Sequence, residues 1–285
     1  NNYYLWDFLH SKYGQSLLWR SASQTGQPHL TLPSIYDMKV PKLSDTFQKQ
    51  VKILYTTSVK AKNAENDAYL KAEQILFSEL KIDDLASFAH AITVKLLSVS
   101  FISSGRLDAE YYQPKYDDYI TAFCTSDTVG TLCNVHDKNF VPNADTEYMY
   151  IELANVGSSG NINGVEKVLG CDLPSRARRK VKAGQVIIAS IEGSLQSCAL
   201  ISDEFNNALC STGFYILDSD NINPETLLVL FKSEPVQALL TQHCSGTILT
   251  AITKDELLNM PLPRIGRSVQ KQISSKVQES FALHH

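Results

Sequence analysis

The sequence predicts an α+β protein: a globular domain with an irregular β-sheet, carried on long helices that form an antiparallel coiled-coil spacer. Three observations predict it. The chain repeats itself at a distance of 222 residues, a heptad pattern runs from 44 to 80, and short β-rich runs crowd the stretch between 120 and 220.

Shifting the chain by 222 residues lays 5–52 over 227–274 without a gap, with 13 of 48 positions identical. Among them are Gln15/Gln237, Leu17-Leu18/Leu239-Leu240, Ser23/Ser245, Thr25/Thr247, Met38/Met260, Pro41/Pro263 and the run Gln48-Lys49-Gln50/Gln270-Lys271-Gln272. A period this long exceeds any solenoid unit and reads as a duplicated domain-plus-helix. Two copies imply a pseudo-twofold object, which suits a partner with twofold character of its own.

The first element expected is a helix over 3–18, where Tyr4, Leu5, Phe8, Leu9, Leu17 and Leu18 fall at helical spacing; 224–242 is its counterpart. Each is followed by a Ser/Thr loop and an apolar run ending in Pro41 or Pro263. From the N-cap candidate Ser44 a long helix is expected to residue 80. Its seam is Phe47, Val51, Leu54, Ser58, Ala61, Glu65, Ala68, Ala72, Ile75 and Glu79, alternately four and three apart. At 1.5 Å per residue it would reach about 55 Å. The small seam residues favour close contact with a second helix beginning near Arg267, with Val269, Ile273, Val277 and Phe281 as its apolar stripe. A short apolar helix is expected over 85–99, and strands over 148–153, 185–190, 198–201 and 213–217, between Gly, Asn and Asp punctuation.

A chain of 285 residues with 44% apolar content can bury a substantial core. No run approaches the roughly 20 apolar residues of a membrane helix, and the amino terminus lacks a signal-peptide pattern, so a cytoplasmic location is expected. The six cysteines (Cys124, Cys133, Cys171, Cys198, Cys210, Cys244) include no CxxC pair and no clustered histidine; reduced core thiols are the expectation, with no metal site. A net charge of −4 argues against a uniformly basic coat while leaving room for a local basic face.

That face is expected at 164–184, where Lys167, Arg176, Arg178, Arg179, Lys180 and Lys182 stand against only Glu166 and Asp172. A solvated turn before a strand explains such a run as well as phosphate contact does; in the second case guanidinium forks match phosphate oxygens. Downstream, Glu192-Gly193-Ser194 with Gln196 forms a Gly-containing loop whose polar side chains suit base edges, though a plain hairpin fits equally. The segment 155–164, with Asn155, Ser158, Ser159 and Asn161, is rich in hydrogen-bonding groups; a disordered surface loop is the favoured reading and base contact the alternative. Ser245 and Thr247 recur in the first copy, so they serve a shared fold as readily as a shared contact. The sequence has no Walker loop, GxGxxG, HExxH or GxSxG element and no adenine-methyltransferase motif, so no catalytic residue is assigned.

The strings GRLDAEYYQPKYDDY at 105–119, DLPSRARRKVKAGQVIIASIEGSLQSCALI at 172–201, NALCSTGFYIL at 207–217 and CSGTILTAITKDEL at 244–257 strongly resemble the second half of type I restriction–modification specificity subunits. The resemblance implies two target-recognition domains, each followed by a long helix, with the helices paired antiparallel as a ruler between two half-sites. On this basis 1–43 is the tail of the first recognition domain, 44–82 the central spacer helix, 83–107 a connector, 108–264 the second recognition domain and 265–285 the start of the distal helix. It implies a non-catalytic subunit that binds double-stranded DNA and holds two methyltransferase subunits and the restriction/translocase subunits. S-adenosylmethionine, ATP and Mg are expected on those partners and no cofactor on this chain. Arg176, Arg178, Arg179, Lys180, Lys182 and Lys167 are then the expected backbone contacts. Asn155, Ser158, Ser159, Asn161, Glu192, Ser194 and Gln196 are the candidate base readers. Phe47, Val51, Leu54, Ala61, Ala68, Ala72 and Ile75 form the spacer seam. With most of a first domain lacking, a fragment of a longer chain is favoured over a homodimer through the spacer helices. Two other readings stand beside it: the recognition end of a single-chain adenine methyltransferase, and a coiled-coil scaffold that binds no DNA.

Overall fold

A computed structural model of the chain describes residues 2–22, 28–82, 94–98, 100–246 and 250–284. It is an α+β structure that divides into two units, one ending at Ala64 and one beginning at Glu65.

The repeat reappears in the element bounds. The first unit opens with α1 (Asn2–His10), α2 (Lys12–Ser21) and α3 (Leu32–Tyr36), and α4 (Asp45–Leu80) begins in it. The second unit repeats that series as α8 (Pro224–Lys232), α9 (Glu234–Gln242), α10 (Lys254–Asn259) and α11 (Arg267–His284). The helix expected over 3–18 is therefore two helices, as is the one over 224–242. Ser11 ends α1 and caps α2, accepting from the Gly14 amide, while Ser233 is followed by Glu234 and Pro235, which suits the first turn of a new helix. Thr31 and Thr253 cap α3 and α10 in the same way. The repeated glutamines have a structural task. Gln15 Nε2 donates to the Leu9 carbonyl and Gln237 Nε2 to that of Phe231, the equivalent atom. Gln48 and Gln270 do the same to Leu43 and Ile265. Residues Ser23, Thr25 and Thr247 of the repeat lie outside the described residues.

Burial separates the two copies. Leu227 to Phe231 and Leu239-Leu240 are fully buried in the second unit, whereas Leu5 and Trp6 are 42% and 49% exposed in the first. There the apolar side chains of Tyr4, Phe8, Leu17, Leu43, Phe47 and Val51 line an open groove of about 670 Å³.

What covers the helices of the second unit is a sheet with the order β1-β8-β5-β6, antiparallel throughout. Its strands are β1 (Asn134–His136), β5 (Val186–Ala189), β6 (Cys198–Leu200) and β8 (Phe214–Asp218). Strand β5 is buried on both faces: Val186 and Ile188 join the helical core, and Ile187 and Ala189 join a second core. The period of two thus splits one apolar run between two cores. The second core is shared with a mixed sheet in the order β3-β2-β7-β4, made of β2 (Glu147–Ile151), β3 (Glu166–Leu169), β4 (Ala177–Lys180) and β7 (Leu209–Ser211), with β2 and β7 parallel. All four expected strands are present, shifted by no more than two residues at either end. Missed were β1, β3, β4, β7 and the helices α3, α6 (Pro114–Phe123), α7 (Val129–Leu132) and α10. The apolar helix expected over 85–99 is not helical at 94–98, and its other residues lie outside the described ones; instead α5 covers Phe101–Ser104.

The spacer seam needs correction. In the second unit α4 buries Glu65, Ala68, Ala72, Leu76 and Leu80, with Ile75 only half-buried. An undistorted helix turns by 3.6 residues, so a strict heptad drifts, and the stripe moves from 75 and 79 to 76 and 80. Leu76 and Ala72 share a core with Ile273 and Val277 of α11. Of the first-unit seam positions, Phe47 and Leu54 are exposed, while Val51 and Ala61 are half-buried.

Four cysteines are buried and Cys124 and Cys171 are exposed, all as free thiols. Burial pushes the thiols of Cys133, Cys198 and Cys210 up to about 12 and that of Cys244 up to about 11. A buried thiol held protonated is neither accessible nor nucleophilic. Iodoacetamide applied to the native protein near neutral pH should therefore label Cys124 and Cys171 and leave the other four unmodified until denaturation, as peptide mass spectrometry would show.

Candidate DNA-reading face

Strand β4 carries the basic run, and its pairing with β7 is irregular: Ala177 opposes Ser211 and Arg179 opposes Cys210. A bulge leaves one residue extra and re-aims its neighbours. Ala177 is buried, Arg178 half-buried and Lys180 exposed. The Arg178 Nε donates to the Ser175 carbonyl, and the Lys180 ammonium sits 5.1 Å from the centre of the Phe140 ring. Lys182, in the turn after β4, and Lys167, on β3, are both exposed.

Arg179 departs from the expectation. Its Nε and Nη1 are cut off from solvent and have no hydrogen-bond partner. As placed, those two donors cannot reach a DNA backbone, because Arg179 stands opposite Cys210, whose side chain joins the second core, and cross-strand partners share a face. Arg176, just before the strand, is exposed and makes no ion pair among the described residues.

The loop 155–164 is ordered by its own side chains. The Asn155 amide accepts from Glu152 N at 2.7 Å and donates to the carbonyls of Asn163 and Gly164 at 2.9 and 3.0 Å. Gly157 N donates to the Asn161 carbonyl, and Val156 bridges Ile162. Gly160 adopts φ +82°, and a Cβ there would meet Leu228 of α8 at 2.7 Å. Ser159 and Asn161 are 2% and 8% exposed, so they hold the loop and have no surface to offer a base edge. Asn155 has its amide committed to backbone groups. Only Ser158 of this set is exposed.

The second candidate loop is a 3-10 turn, Glu192–Ser194, between β5 and β6. Glu192 and Gln196 are exposed, and Ser194 is half-buried with its hydroxyl donating to the Ile191 carbonyl at 3.1 Å. Glycine at 193 is not required by the fold: its φ is ordinary and a Cβ would meet nothing within 4 Å.

The structure then brings together residues that the sequence leaves far apart. A cleft of about 370 Å³ lies where the ends of β2, β7 and β8 meet the 191–194 turn. Arg176 and Ser194 wall it, together with Tyr150, Glu152 and Ser211, which sequence reading missed. The signal that could have found them is weak: alternate positions along β2 place Tyr150 and Glu152 on one side of the strand end.

By contrast, the string 105–119 is a structural knot. The Arg106 guanidinium pairs with Asp108 at 2.6 Å, donates to the carbonyls of Gln242 and Cys244, and packs 4.4 Å over the Tyr111 ring. It thereby closes the C-terminal end of α9.

Among the described residues, no group of three His, Cys, Asp or Glu side chains is placed to hold a metal ion, and no helix is long and apolar enough to cross a membrane.

Fold and face together define a mixed α+β domain with a basic, cleft-bearing surface, mounted on a pair of packed helices. Compared with solved structures, the chain is similar to specificity subunits of type I restriction–modification systems. It is 28% identical to a chain in a structure of the assembly and conformational transition of the type I R-M system, over 54% of this chain and 41% of that one, with a TM-score of 0.48. It is 28% identical to the HsdS subunit from Thermoanaerobacter tengcongensis, over 53% of this chain and 40% of that one, TM-score 0.44. Against the type I restriction–modification S subunit from M. genitalium the identity is 13%, over 98% of this chain and 69% of that one, TM-score 0.36. The chain therefore spans about two fifths of the length of the first two structures. No family model matches the chain, and no curated protein matches it.

Proposed function

We propose that this chain is a DNA sequence-specificity subunit of a type I restriction–modification complex. Residues 108–264 act as a recognition domain for one half-site, and α4 with α11 act as the spacer. The observation that carries the reading is the exposed Lys167, Lys180 and Lys182 with the half-buried Arg178, together with a cleft that holds both an arginine and a carboxylate, in a chain that is negative overall. Exposed cations clustered in the stretch 167–182 of an acidic protein suit a polyanion, and the mixed cleft suits base edges. The helix layer of residues 2–36 repeats that of 224–258 with Leu5 and Trp6 exposed where Leu227 and Leu228 are buried, which suits the sheet layer of a first recognition domain. Two methyltransferase subunits and the restriction/translocase subunits would complete the complex, supply the S-adenosylmethionine, ATP and Mg chemistry, and place the protein in the cytoplasm. A homodimer through the spacer helices is the second arrangement that leaves two readers in one complex.

Binding of the chain to a generic duplex should weaken with salt. Four phosphates neutralised at about −0.9 each give a log–log slope near −3.5. Fluorescence anisotropy at several salt concentrations measures it, and a slope near zero would favour the scaffold reading.

A further inference from the structure

The cleft suggests a division of labour within the basic run. Arg176 and Glu152 lie on the same cleft and carry opposite charges, and neither is ion-paired among the described residues. Glu152 uses its carboxylate to accept from the backbone at the start of the 153–155 turn, which leaves further lone pairs free. Tyr150 lines the same cleft. Burial raises its pKa first, the Glu152 carboxylate second, and Arg176 acts in the opposite sense, so both charges are felt at its hydroxyl. A carboxylate beside an arginine disfavours a phosphate, which is an anion, but complements a base pair, which presents acceptors and donors side by side.

We propose that Arg176 and Glu152 read a single G·C base pair from the major groove, and that Arg176 is a specificity-determining residue and makes no phosphate contact. The Arg176 fork donates to guanine O6 and N7, and the Glu152 carboxylate accepts from the cytosine N4 amino group. This rests on the reading of the chain as a DNA-binding subunit. It separates Arg176 from Arg178, Lys180, Lys182 and Lys167, which remain on the phosphates.

The test uses the full chain in two assays. Duplexes bound from a pool with a randomised central segment are sequenced, and the salt slope is measured on one fixed duplex. Wild type should enrich a motif containing a G·C pair. Arg176→Ala should lose preference at that pair alone, by about 5- to 150-fold, with the salt slope unchanged. Arg176→Lys keeps the charge without the fork and should show the same local loss. Glu152→Gln should relax the same position. Arg178→Ala, by contrast, should lower the slope by about 1 with the motif intact. A loss of affinity for all duplexes and a slope lowered by about 1 in Arg176→Ala would make Arg176 a phosphate contact and overturn the proposal. An unchanged motif in that variant would overturn it equally. If wild type itself shows no salt-dependent duplex binding, the broader reading fails, and this proposal with it. Thermal melting of the Arg176 and Glu152 variants, expected to match wild type because both side chains are exposed, separates these results from misfolding.

Discussion

Replacing Arg178, Lys180 and Lys182 together with alanine is expected to cut affinity for any duplex by on the order of 100-fold at about 0.1 M salt and to flatten the salt slope from near −3.5 to about −1. Each cation is at least partly exposed, none holds an ion pair among the described residues, and each phosphate neutralised releases counterions whose entropy supplies the affinity. The Arg178 Nε hydrogen bond to Ser175 leaves the other guanidinium donors free. Arg179 is left out of the set because two of its three nitrogens are enclosed. Arg179→Ala should act on folding more than on binding, so its melting temperature changes while its salt slope stays near that of wild type. Equal affinity and slope in the triple variant and the wild type would remove the β4 ridge from the interface.

The second large effect concerns the helix α4. Leu76 is fully buried in the helical core, with Ala72 from its own helix and Ile273 and Val277 from α11 in the same cluster. Leu76→Ala is expected to destabilise the unit beginning at Glu65 by about 2–5 kcal/mol, since the lost transfer energy adds to the cost of the cavity left behind. Leu54 occupies the same predicted seam and is 71% exposed. Leu54→Ala should change stability by no more than about 0.5 kcal/mol, as surface substitutions do. Denaturant unfolding of the two variants compares them directly. A similar loss from both would mean that the seam is packed along its whole length.

How much of this was legible in the sequence depended on whether the signal was local. The duplication was, because Gln15, Gln48 and their counterparts each bond to a carbonyl five or six residues earlier, so the reason for their recurrence lies within a short stretch. The strands 186–189 and 214–218 were legible as apolar runs. Strand β4 was not, because four of its neighbourhood's six basic residues fall in or beside it and a bulge interrupts its alternation. The composition of 155–164 suggests a disordered loop; its asparagines and glycines instead close it on its own backbone, a use of polar side chains that composition does not distinguish from solvation. The seam was placed with the right small residues, Ala68 and Ala72, and then drifted by one position because a heptad was imposed on a helix that keeps 3.6 residues per turn. The cleft was out of reach. Arg176, Ser194, Tyr150 and Ser211 come from four separate stretches, joined by the parallel pairing of β2 with β7 and by the packing of one sheet on the other.

Sequence choice by residues 108–264 is the central claim, and methylation mapping tests it most directly. The chain is co-expressed with the methyltransferase subunits of a type I system, and modified adenines are mapped across the host genome. The account predicts that methylation appears at one recurring motif only when this chain is present, and that the motif changes when Arg176 is replaced. A stable complex with the methyltransferase subunits that yields the same methylation with and without this chain would contradict it.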